Sequence, residues 1–285
     1  MSSLPLLDWA VLAVSLFNTI LLLWLGSTVL LNAERRTFGL WLAGGGLLLG
    51  AAFFLSHSAI LGLGLYAPAA GLDFWWRIGW LPVVLAPLAW TVVMAWYTGY
   101  LFSGETDRQS PGPGAGRRRI GLAFLLGLGA LMIGLLAFAN PLPSFKQAAA
   151  LDLSAAPSLG GVPVVILIYP LYILLCIGLA LDFLRRPAPA TRLMGDLARR
   201  RARPWLMAAT WVLLLVSVLV GWAMVWVVNS ARGSLYEPGM GTALAGLDLL
   251  VAGLIAAAVL LVGQAVVSYE IFTGHSLPRR GLARY

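Results

Sequence analysis

The sequence predicts an all-α, polytopic membrane protein: a bundle of seven transmembrane helices. The 285 residues are 60% hydrophobic and only 11% charged, whereas a soluble domain carries about a quarter charged residues. Apolar segments long enough to cross a hydrocarbon core of about 30 Å also recur along the chain. They cover roughly residues 8–31, 38–64, 77–102, 120–139, 162–184, 205–229 and 243–269.

The basic residues assign an orientation, because Lys and Arg accumulate in cytoplasmic loops. Of the 19 Lys and Arg residues, all but Arg77, Lys146 and Arg232 follow odd-numbered spans or lie in the C-terminal tail. We therefore expect an outside N-terminus, a cytoplasmic C-terminus and a multi-pass location in the inner (plasma) membrane. Residues 1–272 form the predicted seven-transmembrane domain, and residues 273–285 form a short basic cytoplasmic tail.

Two connecting segments are expected to be helical in part. Residues 145–156, in the longest outer loop, predict a short interfacial helix. The basic run 185–203 is expected to extend spans 5 and 6 as helices beyond the membrane, with a break around Pro187 and Pro189.

The third span is the segment around which we expect the bundle to pack. One stripe of large side chains recurs at alternating spacings of four and three, which is the pattern of one helix face. Pro87 lies near the middle of the stripe and is expected to kink the helix and free a carbonyl. The stripe predicts an inward-facing seam formed by Trp76, Trp80, Val83, Pro87, Trp90, Met94 and Tyr97.

Polar residues inside the spans are few, and each has a functional and a structural interpretation. His57 fits a proton sensor, a ligand contact or a metal ligand, and it equally fits a neutral, hydrogen-bonded packing residue. Asp248 is expected to pair with His57 or Arg77, to bind a cationic ligand, or to lie as an interfacial carboxylate near a helix N-terminus. Asp182 precedes Arg185 and Arg186 by three and four residues, which predicts a local ion pair.

Aromatic residues add to the candidate ligand site. Trp222 and Trp226 are one turn apart in span 6, and with Trp76 and Trp80 they can line an aromatic pocket open to the outside. The alternative is that these rings pack in the bundle seam. The candidate ligand-binding set is Trp76, Trp80, His57, Trp222, Trp226 and Asp248.

Helix contacts are predicted from small and amide side chains. Asn18 and Gln264 are expected to form hydrogen bonds between helices. Gly46 and Gly50, in GxxxG spacing, predict a close helix approach, as do the span 4 glycines. These are Gly127, Gly129 and Gly134.

The cytoplasmic basic residues are candidates for binding anionic lipid headgroups or an acidic partner, beyond their topological role. They are Arg199, Arg200, Arg201, Arg203, Arg279 and Arg280. The net charge of +8 does not indicate nucleic acid, because the arginines lie in short loops between apolar segments.

No catalytic residues, metal ligands or cofactor site are predicted. The spans contain no Lys for a retinal Schiff base, and His275 lies in the tail, which disfavours a bis-His haem. No HExxH, GxSxG, Walker motif or paired intramembrane Asp occurs. The single Cys176 excludes a disulfide framework.

The third span and its neighbours resemble the seven-helix N-terminal sensor region of bacterial histidine kinases. The residues that carry the resemblance are Phe74, Trp75, Pro82, Pro87, Trp90, Tyr97, Thr98 and Gly99, with Arg35, Arg36 and Trp41 before them. The match is specific only between residues 31 and 100. The prolines are five residues apart rather than adjacent, and no kinase, cyclase or coiled-coil segment follows span 7.

The resemblance implies a membrane sensor without enzymatic activity of its own, which passes a signal from an unknown small ligand or a membrane state to a separate cytoplasmic or membrane protein partner. Gly274 and Pro278 are expected to end span 7, so the signal would leave through a docked protein at residues 275–285 and 185–203. The alternatives are an accessory or structural subunit of a larger membrane complex and, third, a small-molecule transporter.

Overall fold

Seven long apolar helices dominate the fold. The computed structural model describes residues 5–31, 38–64, 69–101, 115–139, 142–150, 158–159, 162–187, 193–232 and 239–268. Within these residues, seven helices are long and apolar enough to cross a membrane, which confirms the predicted fold class. They are α1 (Pro5–Leu31), α2 (Phe38–Leu63), α3 (Ala69–Tyr97), α4 (Ala115–Gly134), α6 (Val164–Arg185), α7 (Leu193–Arg232) and α8 (Met240–Ser268).

Six of these helices form a ring. Each packs on its neighbours in the order α1, α2, α3, α6, α7 and α8, and α8 closes the ring on α1. Helix α4 packs against α3 and α6, and the ring's central cavity is lined by all six ring helices but by no described residue of α4. Span 4 therefore lies outside the ring. We name the two ends of the bundle the His57 end and the Arg118 end.

Helix α3 runs unbroken through both of its prolines. Hydrogen bonds from hydroxyl groups join it to α6: Tyr172 donates to the Val84 carbonyl at 2.9 Å, and Thr91 donates to the Cys176 carbonyl at 2.9 Å. Thr91 also donates to the carbonyl of Pro87 in its own helix at 2.9 Å. Because lipid offers no hydrogen-bond partners, such bonds fix the register of one span against another.

Short elements cover the His57 end between α4 and α6. A π-helical turn, Leu135–Ala139, ends α4. Helix α5, Phe145–Ala149, confirms the predicted interfacial helix over its first turn, and a capping box between Ser144 and Gln147 begins it. The predicted helix extended to residue 156, but α5 ends at Ala149 with Ala150 as its C-cap, and residues 151–156 lie outside the described residues. A two-residue hairpin pairs β1 (Ser158–Leu159) with β2 (Val162–Pro163).

Helix α7 has 40 residues and is about 60 Å long, twice the thickness of a hydrocarbon core. It carries the second half of the basic run as an extension of span 6, as predicted, whereas the predicted extension of span 5 was wrong, because α6 ends at Arg185. Arg203 donates from Nε to the Leu184 carbonyl and from Nη2 to the Arg185 carbonyl, both at 2.9 Å. These bonds satisfy carbonyls that the end of α6 leaves without partners.

Glycines allow close packing at some predicted positions and not at others. A Cβ on Gly46 would lie 3.4 Å from Ala89, one on Gly50 3.3 Å from Leu22, and one on Gly129 3.1 Å from Leu88 and Tyr172. The expectation for Gly127 and Gly134 was wrong, because a Cβ at either position would meet no described atom within 4 Å.

Candidate functional site

The ring encloses a cavity of about 500 Å³. All seven residues of the α3 stripe line it, which confirms the predicted inward-facing seam. On α8 the lining runs from Asp248 to Val266, about 27 Å along the helix, and on α3 from Trp75 to Tyr97, about 33 Å. The cavity is therefore elongated along the bundle axis and reaches both ends.

Polar groups are concentrated at one end of this cavity. Ser56, His57 and Asp248 line it at the His57 end, where Gly79 of α3 lies against the Ser56 side chain. Farther along, the lining is almost wholly aliphatic and aromatic, and the Ser217 hydroxyl there donates to the Leu213 carbonyl of its own helix at 2.7 Å.

His57 and Asp248 form a polar pair across the cavity, with Nε2 and Oδ2 3.1 Å apart. This geometry confirms one of the two predicted partners of Asp248. The imidazole also stacks on Phe53, with the ring centres 5.8 Å apart and the planes 7° apart. Because α1 lies between α2 and α8 in the ring, the pair joins two helices that are not adjacent in it.

A hydroxyl network on α1 supports the histidine. Ser15 Oγ lies 3.3 Å from His57 Nδ1 and 2.8 Å from Ser58 Oγ, and it is fully buried. Three residues further along α1, Asn18 donates to the Ala252 carbonyl at 2.9 Å, which confirms its predicted interhelical hydrogen bond. Both ring nitrogens of His57 are therefore occupied by side chains of other helices.

Ser15, His57 and Asp248 contact one another in the same sequence as the Ser, His and Asp of a hydrolytic triad. Ser15 is fully buried between α1 and α2, and it is not among the residues that line the cavity. A substrate in the cavity cannot reach its hydroxyl, so the arrangement gives no argument for nucleophilic catalysis. Among the described residues, no group of three metal-ligating side chains comes together.

Aromatic rings connect the short helix α5 to the cavity. Trp76 contacts Phe145 and Trp80, and Trp80 contacts Tyr169, with ring centres 5.9, 5.7 and 5.7 Å apart. The Trp76 indole donates to the Pro143 carbonyl at 3.0 Å. In addition, Asp73 accepts from the Phe145 backbone N–H at 2.7 Å. The loop before α5 is thereby fixed to the cavity wall.

Trp222 and Trp226 do not line the cavity, so the predicted pocket with Trp76 and Trp80 was wrong in this respect. They stack on each other, with centres 5.7 Å apart, and Trp222 is 57% exposed. The reason is helical geometry: Val220 and Met224 face the cavity, and a residue two positions further lies about 200° around the helix. Gln264 is likewise exposed rather than bonded between helices within the described part of the chain.

A second charged cluster lies at the opposite end. Arg118 is 4% exposed, and its Nε donates to Asp182 Oδ2 at 2.5 Å. Its Nη1 donates to the Tyr100 hydroxyl and, at 3.2 Å, to the Arg186 carbonyl. The Tyr100 hydroxyl donates to that same carbonyl at 2.7 Å. The predicted local pairing of Asp182 with Arg185 or Arg186 was wrong, because Arg118 of α4 takes its carboxylate.

The candidate lipid- or partner-binding arginines differ in their surroundings. Arg200 and Arg201 are exposed, whereas Arg203 caps α6. The side chain of Arg199, and the whole of Arg279 and Arg280, lie outside the described residues.

Four contributors to these clusters were not predicted, namely Ser15, Ser58, Tyr100 and Arg118. Ser15 and Asn18 are polar at i, i+3 in an apolar span, a signal that could have identified their shared face. Arg118 stands between two other arginines, so the sequence offers no means of choosing the buried one. The indole N–H of Trp90 is buried with no acceptor among the described residues.

Comparison of the chain with protein-family models, with curated proteins and with solved structures finds no match.

Proposed function

We propose that the chain is a membrane sensor that reads a small ligand in the central cavity and transmits its occupancy along the bundle to a separate protein. The observation that carries this proposal is the His57–Asp248 pair. Both side chains line the cavity and come from non-adjacent helices, so a molecule that fills this end lies against the pair. Its contact energy would then differ between the empty and occupied states, which is the requirement for a ligand-driven shift.

The contacts at the two ends of the bundle differ, and the difference supports ligand binding at one end and transmission to a partner at the other. At the His57 end the contacts are made across a cavity, and the helices can adjust when it fills. At the Arg118 end, Arg118 of α4 binds Asp182 of α6 and Tyr100, which follows the end of α3 by three residues. A change in the position of α8 would therefore reach the Arg118 end as a shift relative to a fixed group of helices.

The partner surface would lie at the Arg118 end, which the basic residues assign to the cytoplasm. The exposed Arg200 and Arg201 on the extension of α7 favour an acidic protein surface or anionic lipid there. Such contacts between exposed charges weaken as salt increases. The resemblance to the sensor region of bacterial histidine kinases agrees with this proposal.

The test compares two alanines that are adjacent in the sequence but face opposite ways. Ala258 lines the cavity and is 2% exposed, whereas Ala257 faces outward. Strains that carry Ala258→Phe or Ala257→Phe would be compared by transcriptome with the wild type and a deletion. We expect Ala258→Phe alone to change expression, at unchanged protein abundance. Wild-type transcription in the Ala258→Phe strain would contradict the sensor proposal.

A second candidate function is a subunit of a larger membrane complex, which the exposed aromatic side chains favour. Trp24 is 63% exposed and Trp222 is 57% exposed within apolar spans, where a neighbouring subunit could cover them. Mild extraction from native membranes distinguishes the two. A stoichiometric assembly that is lost in a Trp24→Ala, Trp222→Ala variant supports the subunit, and a chain that migrates alone supports the sensor.

A further inference from the structure

We infer that the cavity binds an amphipathic molecule with a long apolar tail and one hydrogen-bond-donating head, a hydroxyl or an amine, and that it excludes carboxylate and phosphate heads. This inference rests on the proposed function, because it names the class of ligand that the sensor reads. It follows from the shape of the cavity, the position of its polar groups and the free acceptor on Asp248.

The shape of the cavity favours a ligand with a long hydrocarbon chain. Its lining extends for about 27 Å along α8 and about 33 Å along α3, yet its volume is about 500 Å³. A cavity of this length and volume is narrow, so a compact polar metabolite would leave most of it empty. A long hydrocarbon tail would contact lining from Val83 to Val266 along its length.

The positions of the polar groups in the lining determine the direction in which the hydrocarbon chain of the ligand lies. The tail region is lined by apolar side chains such as Met94, Ile255 and Val262, which offer dispersion contacts and no hydrogen bonds. The only carboxylate and the only imidazole of the described lining are at the His57 end, whereas Trp90, Tyr97 and Ser217 contribute single polar atoms farther along. A buried polar group needs a partner, so the head of the ligand belongs there and the tail extends towards Tyr97.

The hydrogen-bonding atoms at the His57 end that have no partner determine which head group the cavity can bind. Both His57 nitrogens are engaged, Nδ1 with Ser15 and Nε2 with Asp248. The Ser56 hydroxyl donates to the Phe53 carbonyl of its own helix at 2.7 Å. Asp248 uses only Oδ2, its side chain is 34% exposed, and no other described residue bonds to its Oδ1.

The remaining acceptor is therefore a carboxylate oxygen. It accepts a hydrogen bond from an O–H or N–H group, whereas a carboxylate or phosphate head would place negative charge against it. The Trp76 and Trp80 rings also line the cavity and suit an amine head as well, because a cation is attracted to an aromatic face.

The experiment uses three probes with one tail and different heads: hexadecan-1-ol, hexadecylamine and palmitate. The full chain, purified in detergent, is incubated with each, and the bound fraction is measured by native mass spectrometry. We expect adducts with the alcohol and the amine and at least tenfold less with palmitate. Asp248→Ala should lower the bound fraction of the alcohol and the amine at least tenfold.

Cavity-filling variants locate the adduct. Ala258→Phe and, from the facing helix, Val83→Phe should remove it, while the matched outward variant Ala257→Phe should retain it. Using two filling variants keeps the test valid if one of them fails to fold, and thermal melting identifies that case.

Equal binding of palmitate, or binding that Asp248→Ala leaves unchanged, would overturn the inferred head. Adducts that persist in both filling variants would overturn the inferred site. Neither result bears on the sensor proposal, which is decided by the transcriptome comparison of Ala258→Phe with Ala257→Phe.

Discussion

His57 of α2 and Asp248 of α8 meet across the central cavity at 3.1 Å, although α1 separates their helices in the ring. Each side chain is partly accessible, at 20% and 34%, so the pair is neither fully desolvated nor screened by bulk water. Removing one partner leaves the other polar group in an apolar bundle, which costs more than removing both.

A double-mutant cycle tests this coupling. We expect His57→Ala and Asp248→Ala each to lower the free energy of unfolding, and the double variant to lose less than the sum. The coupling energy should be about 1–2 kcal/mol, in the upper range measured for polar contacts between membrane helices. Reversible unfolding in mixed detergent supplies the four free energies. Strict additivity would mean that the two side chains do not interact in solution.

The packing of Gly79 against Ser56 gives a second prediction. A Cβ on Gly79 would lie 2.6 Å from Ser56 Oγ and 3.4 Å from its Cβ. Gly79→Ala should therefore destabilise the bundle by about 1–3 kcal/mol through overpacking. Adding Ser56→Ala removes the clashing oxygen and should recover most of the loss. Gly127→Ala, which meets no described atom within 4 Å, is the control and should be neutral or stabilising.

The sequence could predict the fold and one wall of the cavity because both depend on local pattern. Apolar length alone identifies the spans, and the 3.6-residue period of α3 identifies its inward face from Trp76 to Tyr97. In α7, helical phase places Trp222 opposite Val220, but apolar side chains occupy both faces of this span. The inward face of α7 is therefore set by its packing in the ring and not by aromatic residue type.

Partner choice between helices could not be predicted in the same way. Asp182 has Arg185 and Arg186 within one helical turn, yet it pairs with Arg118, 64 residues away. A local pair at a helix end contributes only a few tenths of a kcal/mol, so tertiary packing decides. For Asp248 the sequence left His57 and Arg77 as alternatives, because the choice depends on which helices face each other.

Arg118 is predicted to hold the three helices at its end of the bundle. Arg118→Ala would leave Asp182 without its cation and the Arg186 carbonyl with one donor fewer. Since the Arg118 side chain is 5% exposed and that of Asp182 is 26% exposed, we expect a loss of about 2–4 kcal/mol. Arg117→Ala and Arg119→Ala, both at exposed positions, should change stability little. A similar loss in all three variants would indicate that the total charge of the segment matters, and not this contact.

The tryptophans should separate into two groups by their access to lipid. Trp222 is 57% exposed on the outer face of α7, whereas Trp80 is 8% exposed and lines the cavity. In bilayers of brominated lipid, which quenches indole fluorescence on contact, Trp222→Phe should reduce the quenchable fraction. Trp80→Phe should leave that fraction unchanged or raise it. The opposite result would put Trp222 inside the bundle.

The orientation of the bundle is predicted from charge, and it decides which end faces the cytoplasm. In the sequence, Ser154 lies between α5 and α6, and Ser110 lies between α3 and α4, so one span separates the two positions. A cysteine at either position can be labelled selectively, because the one native cysteine, Cys176, is buried. In intact cells, a membrane-impermeant maleimide should label Ser154→Cys but not Ser110→Cys. Inverted vesicles should give the reverse.

In the seven-span topology one span, α4, separates the two positions, so they lie on opposite sides of the membrane. Labelling of both cysteines from one side would exclude this topology. Labelling of Ser110→Cys alone in intact cells would keep the seven spans but invert the bundle. The His57–Asp248 pair would then lie nearer the cytoplasm, and the ligand would be drawn from inside the cell.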